Sequence, residues 1–249
     1  MKCGFVSLVG RPNVGKSTLL NSILGMKLAI TSNVSGTTRN IIEGIYNDDE
    51  SQIIFVDTPG IHKPSNKLGT LMNKKAYTYT EGVDVILFLI DISKGFGKGD
   101  QFILDRIKEK DANVFLLLNK IDLVKDKKVL LERINELKEL YDFKEIIPIS
   151  AMKNDNVSVL IECIKKYLPE MDAIYSEDDL TNVTTKFIRG EFVREKILEL
   201  THDEIPHTVT CYVENYEEDE KTVHIQVLVV VDRDSIKKII IGKNGQMLK

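Results

Sequence analysis

The sequence predicts an α/β fold with a mostly parallel sheet, followed by a smaller α+β module that is incomplete at its C-terminus. Three observations carry this. Short apolar runs alternate with stretches of helical period through residue 170, a glycine-rich turn joins the first run to a helix, and the rhythm then changes. A chain of 249 residues is long for one domain, so a first domain is expected over 1–170, a linker over 171–180 and a second domain over 181–249.

The elements follow in order. Residues 5–9 read as a buried strand, and the turn from Gly10 to Gly15 opens a helix with Leu19, Leu20 and Ile23 on its inner side. Strands at 41–46 and 52–56 flank the turn-forming Asn47-Asp48-Asp49, and 61–68 reads as a loop. Helices near 69–82, 98–110, 129–140 and 157–167 alternate with strands at 85–90, 114–118 and 146–149. Beyond residue 170, a helix near 191–200 precedes strands at 208–214 and 223–231, with the acidic Glu217-Glu218-Asp219-Glu220 between them. A last helix carries Ile236, Ile239 and Ile240 on its packed face.

Composition excludes several classes. A net charge of -4 with 43% hydrophobic residues argues against wholesale disorder and against a uniformly basic nucleic-acid binder. Cys3, Cys163 and Cys211 form no C-x-x-C pair, and His62, His202, His207 and His224 form no H-E-x-x-H, so no transition-metal site is expected. The strongest apolar run, 85–90, is far short of the ~20 residues that cross a bilayer and is bracketed by Asp84 and Asp91. No signal-peptide pattern opens the chain, and the expected compartment is the cytoplasm. Residues 171–249 hold 10 Lys or Arg against 16 Asp or Glu, which disfavours nonspecific nucleic-acid binding by the whole second module. Within 232–249, however, Arg233, Lys237, Lys238, Lys243 and Lys249 oppose only Asp232 and Asp234.

The chemistry lies in four motifs, each expected at a strand end. Gly10-Arg11-Pro12-Asn13-Val14-Gly15-Lys16-Ser17 matches G-x-x-x-x-G-K-S/T in its strand-to-helix context. Such a turn directs backbone N–H groups at phosphate oxygens, Lys16 reaches the β- and γ-phosphates, and the Ser17 hydroxyl suits a phosphate-bound Mg²⁺. Asp57-Thr58-Pro59-Gly60 follows the third strand, placing Asp57 to hold Mg²⁺ through water and Gly60 to offer its N–H to the γ-phosphate. Asn119-Lys120-Ile121-Asp122 follows another strand. Asp122 accepts from the N1 and 2-amino edge of guanine, Asn119 donates to N7, and the Lys120 stem lies against base or ribose. Adenine lacks that donor edge, so GTP is expected over ATP. The backbone N–H of Ala151, in Ser150-Ala151, is expected at guanine O6.

Between the first two motifs, Ser35-Gly36-Thr37-Thr38-Arg39 supplies a metal hydroxyl that is released on hydrolysis, with Thr38 the first choice and Thr37 the reserve. Together with Asp57, Thr58, Pro59, Gly60 and Ile61 these threonines form the expected switch. Ile61 has no group that orients water, and the lone His62 beside it is a weak base assignment. Slow turnover, or help from a partner or a monovalent cation, follows as the working expectation.

With these residues in place, the whole chain resembles the Era-type ribosome assembly GTPases: a phosphate-loop GTPase domain followed by a KH domain of the helix-first type. The resemblance implies that Ile61 replaces a catalytic glutamine and that Asn13, beside the catalytic Lys16, is a ligand for K⁺. It also implies a KH loop at Gly242-Lys243-Asn244-Gly245 with Lys237 and Lys238 beside it, which clamps single-stranded RNA. The KH pattern stops at Lys249, four residues after Gly245, so the domain is expected to be partial. The implied partners are 16S-type ribosomal RNA, the 30S subunit or its precursor, GTP and GDP, with peripheral contact at the inner face of the cell membrane a further expectation. The competing function is an RNA-binding scaffold that binds guanine nucleotide and hydrolyses it negligibly.

Overall fold

The structure, a computed structural model, describes residues 1–32, 34, 36–63, 67–201 and 208–248. Ser35 of the expected switch, residues 64–66 of the expected loop, His202, His207 and Lys249 lie outside the described residues. The chain divides into two compact units, Met1–Leu28 with Thr38–Asn182, and Ala29–Thr37 with Val183–Lys249.

In the first unit β1 (Lys2–Gly10), β2 (Ile42–Asn47), β3 (Ser51–Asp57), β4 (Val85–Asp91), β5 (Asn113–Asn119) and β6 (Glu145–Pro148) form one sheet in the order β2-β3-β1-β4-β5-β6. Only β2 runs antiparallel, as a two-strand excursion joined to β3 by a tight turn requires. The strands β3 and β4 are buried along their whole length, as expected of parallel strands covered on both faces. The helices α1 (Lys16–Leu24), α2 (Lys67–Thr78), α3 (Lys98–Ile107), α4 (Lys127–Leu137) and α5 (Val157–Lys165) alternate with them. Ile86, Phe88 and Ile90 of β4 pack with Ile103, Leu104 and Ile107 of α3 and with Leu116 and Leu118 of β5.

Register decides where the chemistry falls. Leu8 pairs with Asp57, Gly10 with Leu89 and Asp91 with Asn119, so the carboxyl ends of β1, β3, β4 and β5 reach one edge of the sheet together. In an open parallel sheet that edge is the ligand crevice.

Residues 171–180, expected as a linker, are hydrogen-bonded to the first unit. The buried Gln52 accepts from the Ile174 and Tyr175 amides and donates to the Tyr175 carbonyl, Ile45 N–H donates to Leu180, and the Thr181 hydroxyl donates to the Glu43 carbonyl. A buried side-chain amide needs such partners, and this segment supplies them. The fourth helix ends at Leu137, leaving Leu140 outside it and exposed. The helix expected near 191–200 begins at Thr185, where the Thr184 hydroxyl caps the Phe187 N–H.

In the second unit that helix is α6 (Thr185–Leu200), followed by the hairpin of β7 (Val209–Glu218) and β8 (Val223–Val231) and by α7 (Asp234–Ile241). A Cβ on Gly190 would stand 3.0 Å from the Cys211 carbonyl, so α6 lies close on β7. Val209, Cys211, Ile236 and Ile240 form the core with Val193, Ile197, Val227, Val229 and Val231 around it. Ile239 corrects the expected apolar face. It is exposed, while Ile236 and Ile240, four apart, carry the inward stripe. No helix among the described residues is long and apolar enough to cross a membrane.

Candidate functional site

The phosphate loop contains two left-handed residues, Asn13 (φ 63°) and Gly15 (φ 103°), before α1 begins at Lys16, and left-handed residues in such a turn allow successive N–H groups to converge on an anion. Gly15 cannot be replaced without strain, because a Cβ there would lie 2.2 Å from Asn119 Nδ2. Lys16 is buried and donates to the carbonyls of Gly10 (3.2 Å) and Arg11 (3.1 Å). Burial pulls its ammonium down to a pKa of about 8 against the opposing pull of the Asp57 charge. Arg11 pairs with Asp100 of α3 at 3.2 Å. Gly60 of the second motif lies close against Pro12, since a Cβ there would stand 2.7 Å from Pro12 Cα.

Beside this loop three oxygen side chains converge. Ser17 Oγ donates to Asp57 Oδ2 at 2.7 Å and lies 3.0 Å from Thr38 Oγ1. The Thr37 hydroxyl is spent on the Val34 carbonyl at 2.7 Å. Of the two expected hydroxyls, Thr38, the first choice, thus lies beside Ser17 and Asp57, and Thr37, the reserve, is turned to Val34. Asp57 is fully buried, its Oδ1 has no hydrogen-bond partner among the described residues, and burial raises its pKa to about 6 in spite of the Lys16 charge and the Ser17 bond. A buried, unpaired carboxylate oxygen beside two hydroxyls is the hard oxygen donor set of Mg²⁺, so these residues fit that ion. The Thr58 hydroxyl ties the start of this motif to the Leu8 carbonyl at 2.6 Å.

Ile61 donates its N–H to Gly10 (3.1 Å) and buries its side chain in the α/β core, where it orients no water. A contact between His62 Nδ1 and the Gly60 carbonyl (3.1 Å) engages that ring. Asn73 of α2, which the sequence did not signal, brackets His62 by donating to its carbonyl at 2.6 Å and accepting from its N–H at 3.3 Å.

At the other end of the crevice Asn119 holds two loops. Its Nδ2 donates to the Val14 carbonyl (2.7 Å) and its Oδ1 accepts from Ala151 N–H (3.0 Å). The Ala151 amide expected at guanine O6 thus serves here to close Asn119 against the next loop. Ser150 Oγ donates to Asp122 Oδ1 at 2.6 Å and fixes that carboxylate. Lys120, at φ 67°, donates to the Asn13 carbonyl (2.7 Å) and to Asp91 Oδ2 (2.8 Å), which stretches its stem across the pocket. Asp91 was legible only as a strand end. What identifies it is its register opposite Asn119.

In the second unit Gly242 ends α7 at φ 71°, and Asn244 (φ 55°) and Gly245 (φ 72°) are also left-handed. Lys237, Lys238, Lys243 and Asn244 are exposed around this turn. The loop offers cations and a backbone without bulky side chains at both glycines, which suits close approach to a polyanion.

Phosphate-loop and base-recognition geometry at one sheet edge, with a helix-hairpin-helix unit ending in a G-x-x-G turn, define a GTPase joined to a KH domain. A family described as 50S ribosome-binding GTPase matches residues 5–120, and the KH domain family matches residues 204–249. Over 100% of its length, and 85% of the other chain, the protein is 41% identical to Era in a crystal structure with MgGDPNP and nucleotides 1506–1542 of 16S ribosomal RNA (TM-score 0.94). The identity, coverage and TM-score are the same for an Aquifex aeolicus Era variant bound to GDP.AlF4-. A GTP-binding protein from Sulfolobus solfataricus in complex with GDP is 25% identical over 66% of this chain and 51% of its own (TM-score 0.50). The chain belongs to the Era family of GTPases.

Proposed function

We propose that the protein is a GTP-hydrolysing switch that contacts small-subunit ribosomal RNA through the Gly242–Gly245 loop and assists maturation of the 30S subunit. The observation that carries the switch is the convergence of Ser17, Thr38 and Asp57 beside Lys16. A threonine from a separate loop joins that cluster, so its place there can report the γ-phosphate. RNA contact is supported by the full-length likeness to an Era solved with 16S ribosomal RNA and by the exposed cations of the G-x-x-G turn.

Each residue has a stated task. The phosphate-loop amides and Lys16 bind the phosphates and oppose the charge that builds on them during transfer. Ser17 and Thr38 would present hydroxyls to Mg²⁺ and Asp57 would hold it through water; the ion, when bound, would neutralise phosphate charge. Asp122 accepts from the guanine donor edge while Ser150, Asn119 and Ala151 hold it and its loop in place. Asn13, exposed at the phosphate loop, is assigned to K⁺, because Ile61 supplies no group to direct water.

Phosphate release measured with Mg²⁺ in potassium or sodium, with and without small subunits, tests the reading. Release that rises with potassium and with the subunit supports it. The buried Ile61 favours one competing reading, a nucleotide-binding scaffold, and negligible release under every condition would establish that instead.

A further inference from the structure

The boundary between the two units falls between Thr37 and Thr38, so one peptide bond separates the metal-cluster threonine from residues that pack with the second unit. Within that unit Arg194 Nη2 donates to the Thr37 carbonyl at 2.6 Å. The same guanidinium is oriented by a two-point bond to Glu191, with Nε to Oε1 at 2.8 Å and Nη2 to Oε2 at 2.6 Å. One turn on, Glu195 Oε1 accepts from the Thr31 N–H at 2.8 Å and from its hydroxyl at 3.4 Å. Glu191, Arg194 and Glu195 stand at spacings of three and four and so share one face of α6. That face holds both Thr31 and Thr37. All three are buried, Arg194 and Glu195 each only 1% exposed.

Burying such charges is costly even when they are paired, and apolar residues of similar volume commonly stabilise as well or better. Their arrangement therefore calls for a geometric reason. The Thr37 carbonyl supplies one. A planar, always-charged fork fixes a carbonyl in direction as well as distance, which a lysine does not. The Thr37 side chain turns back to Val34, so the anchored carbonyl is followed by Thr38, whose hydroxyl lies 3.0 Å from Ser17 Oγ.

We infer that Arg194 is a positioning residue for GTP binding and hydrolysis, setting Thr38 toward the metal cluster through the Thr37 carbonyl, with Glu191 orienting the guanidinium and Glu195 fixing the start of the stretch. The inference rests on the assignment of Thr38 above. GDP is held by the phosphate loop and the guanine corner, so Arg194 acts on the γ-phosphate state and not on GDP.

The test compares affinities for a Mg²⁺-loaded non-hydrolysable GTP analogue and for GDP, by titration calorimetry on the full chain. Arg194→Ala lowers analogue affinity about tenfold, the loss of one charge-assisted hydrogen bond, and leaves GDP affinity within about twofold. Removing one partner of a buried pair can also unfold the chain. The paired change Glu191→Gln with Arg194→Met removes both charges and carries the same expectation. Thr38→Ala is the reference. Arg194→Ala adds nothing in its background, because residues acting in series are not additive. A lowered melting temperature with an unchanged analogue-to-GDP ratio means a structural role only and overturns the inference. If Thr38→Ala also leaves that ratio unchanged, the metal assignment of Thr38 falls with it; if Thr38→Ala lowers the ratio and the Arg194 variants do not, the positioning role alone falls.

Discussion

At the carboxyl end of the parallel strands, the side chains of the nucleotide pocket are already held by other parts of the chain. Asn119 bridges Val14 and Ala151, Lys120 bridges Asn13 and Asp91, and Ser150 fixes Asp122. Around the Gly242–Gly245 turn, Lys237, Lys238, Lys243 and Asn244 stand exposed on a loop whose shape comes from backbone angles. The first arrangement is preorganised and has its ordering cost met by folding, which favours selectivity. The second can adapt to a strand and relies on charge, which favours sequence-tolerant, salt-sensitive contact. Single substitutions should thus have large, specific effects in the pocket and small, graded ones at the turn.

The largest effect is expected at Lys16. Lys16→Ala removes the buried cation proposed to face the phosphates, and GTP turnover should fall about 10³-fold, the upper range for one preorganised electrostatic group. Single-turnover phosphate release checks this. A loss under tenfold would show that the amides of the loop suffice and that the pocket is less dependent on its held side chains than the comparison states.

Next is base selectivity. Asp122→Asn replaces the proposed acceptor of the guanine donor edge by an amide that suits the 2-carbonyl of xanthine, so GDP affinity should drop about 10²-fold and xanthosine diphosphate should bind in preference. The Ser150 hydroxyl that fixes Asp122 can donate to an amide oxygen as well, so the loop keeps its place. Competition between the two nucleotides reads the result. Undiminished guanine preference would remove Asp122 from the pocket.

How much of this was legible follows from what each residue depends on. The four motifs are contiguous in sequence, and each follows an apolar run of strand length, so pocket and sheet were readable together. The β1–β3 and β4–β5 registers then aligned their ends. The partners of the motif residues were not readable, because each comes from a distant strand or helix with no local pattern: Asp91 for Lys120, Asp100 for Arg11, Asn73 for His62. The helix α6 shows the same limit. Its inward face carries Gly190, Glu191, Arg194, Glu195 and Leu198, and buried charges erase the apolar period by which a helix is recognised. Its anchoring role was lost for that reason. The stretch 171–180 looked like a linker because it is acidic and polar, and its attachment to β2 and β3 uses backbone groups that composition does not reveal.

At the G-x-x-G turn, replacing Lys237, Lys238 and Lys243 together by Ala should weaken binding to a single-stranded 16S-type RNA only about tenfold. It should also flatten the salt dependence by about 0.7 in log-log slope for each cation that meets a phosphate. Fluorescence anisotropy across potassium chloride concentrations measures both. An unchanged slope would mean that these cations meet no phosphate and that RNA contact lies elsewhere on the chain.

The smallest expected effect lies away from both sites and calibrates them. Asp48, in the β2–β3 turn, accepts from the Glu50 and Ser51 amides and the Ser51 hydroxyl, and pairs with Lys165 at 2.8 Å. Partial burial alone raises its pKa, but the Lys165 bond and the three donors outweigh this and hold the carboxyl down to about 2, from an ordinary 3.8. A carboxylate with a depressed native pKa stabilises the fold above its unfolded pKa and loses that contribution as pH falls through the native one. Asp48→Asn should therefore cost about 1 kcal/mol at pH 7, after allowance for solvent screening, with the difference from wild type closing between about pH 4 and pH 2. Urea unfolding of both proteins across that window measures it. Nucleotide selectivity should stay unchanged, because the turn lies outside the anchored network of the pocket. A shift in GDP affinity on Asp48→Asn would mean that the sheet transmits strain from this turn to the crevice, and that the pocket's rigidity belongs to the whole unit and not to its local bonds.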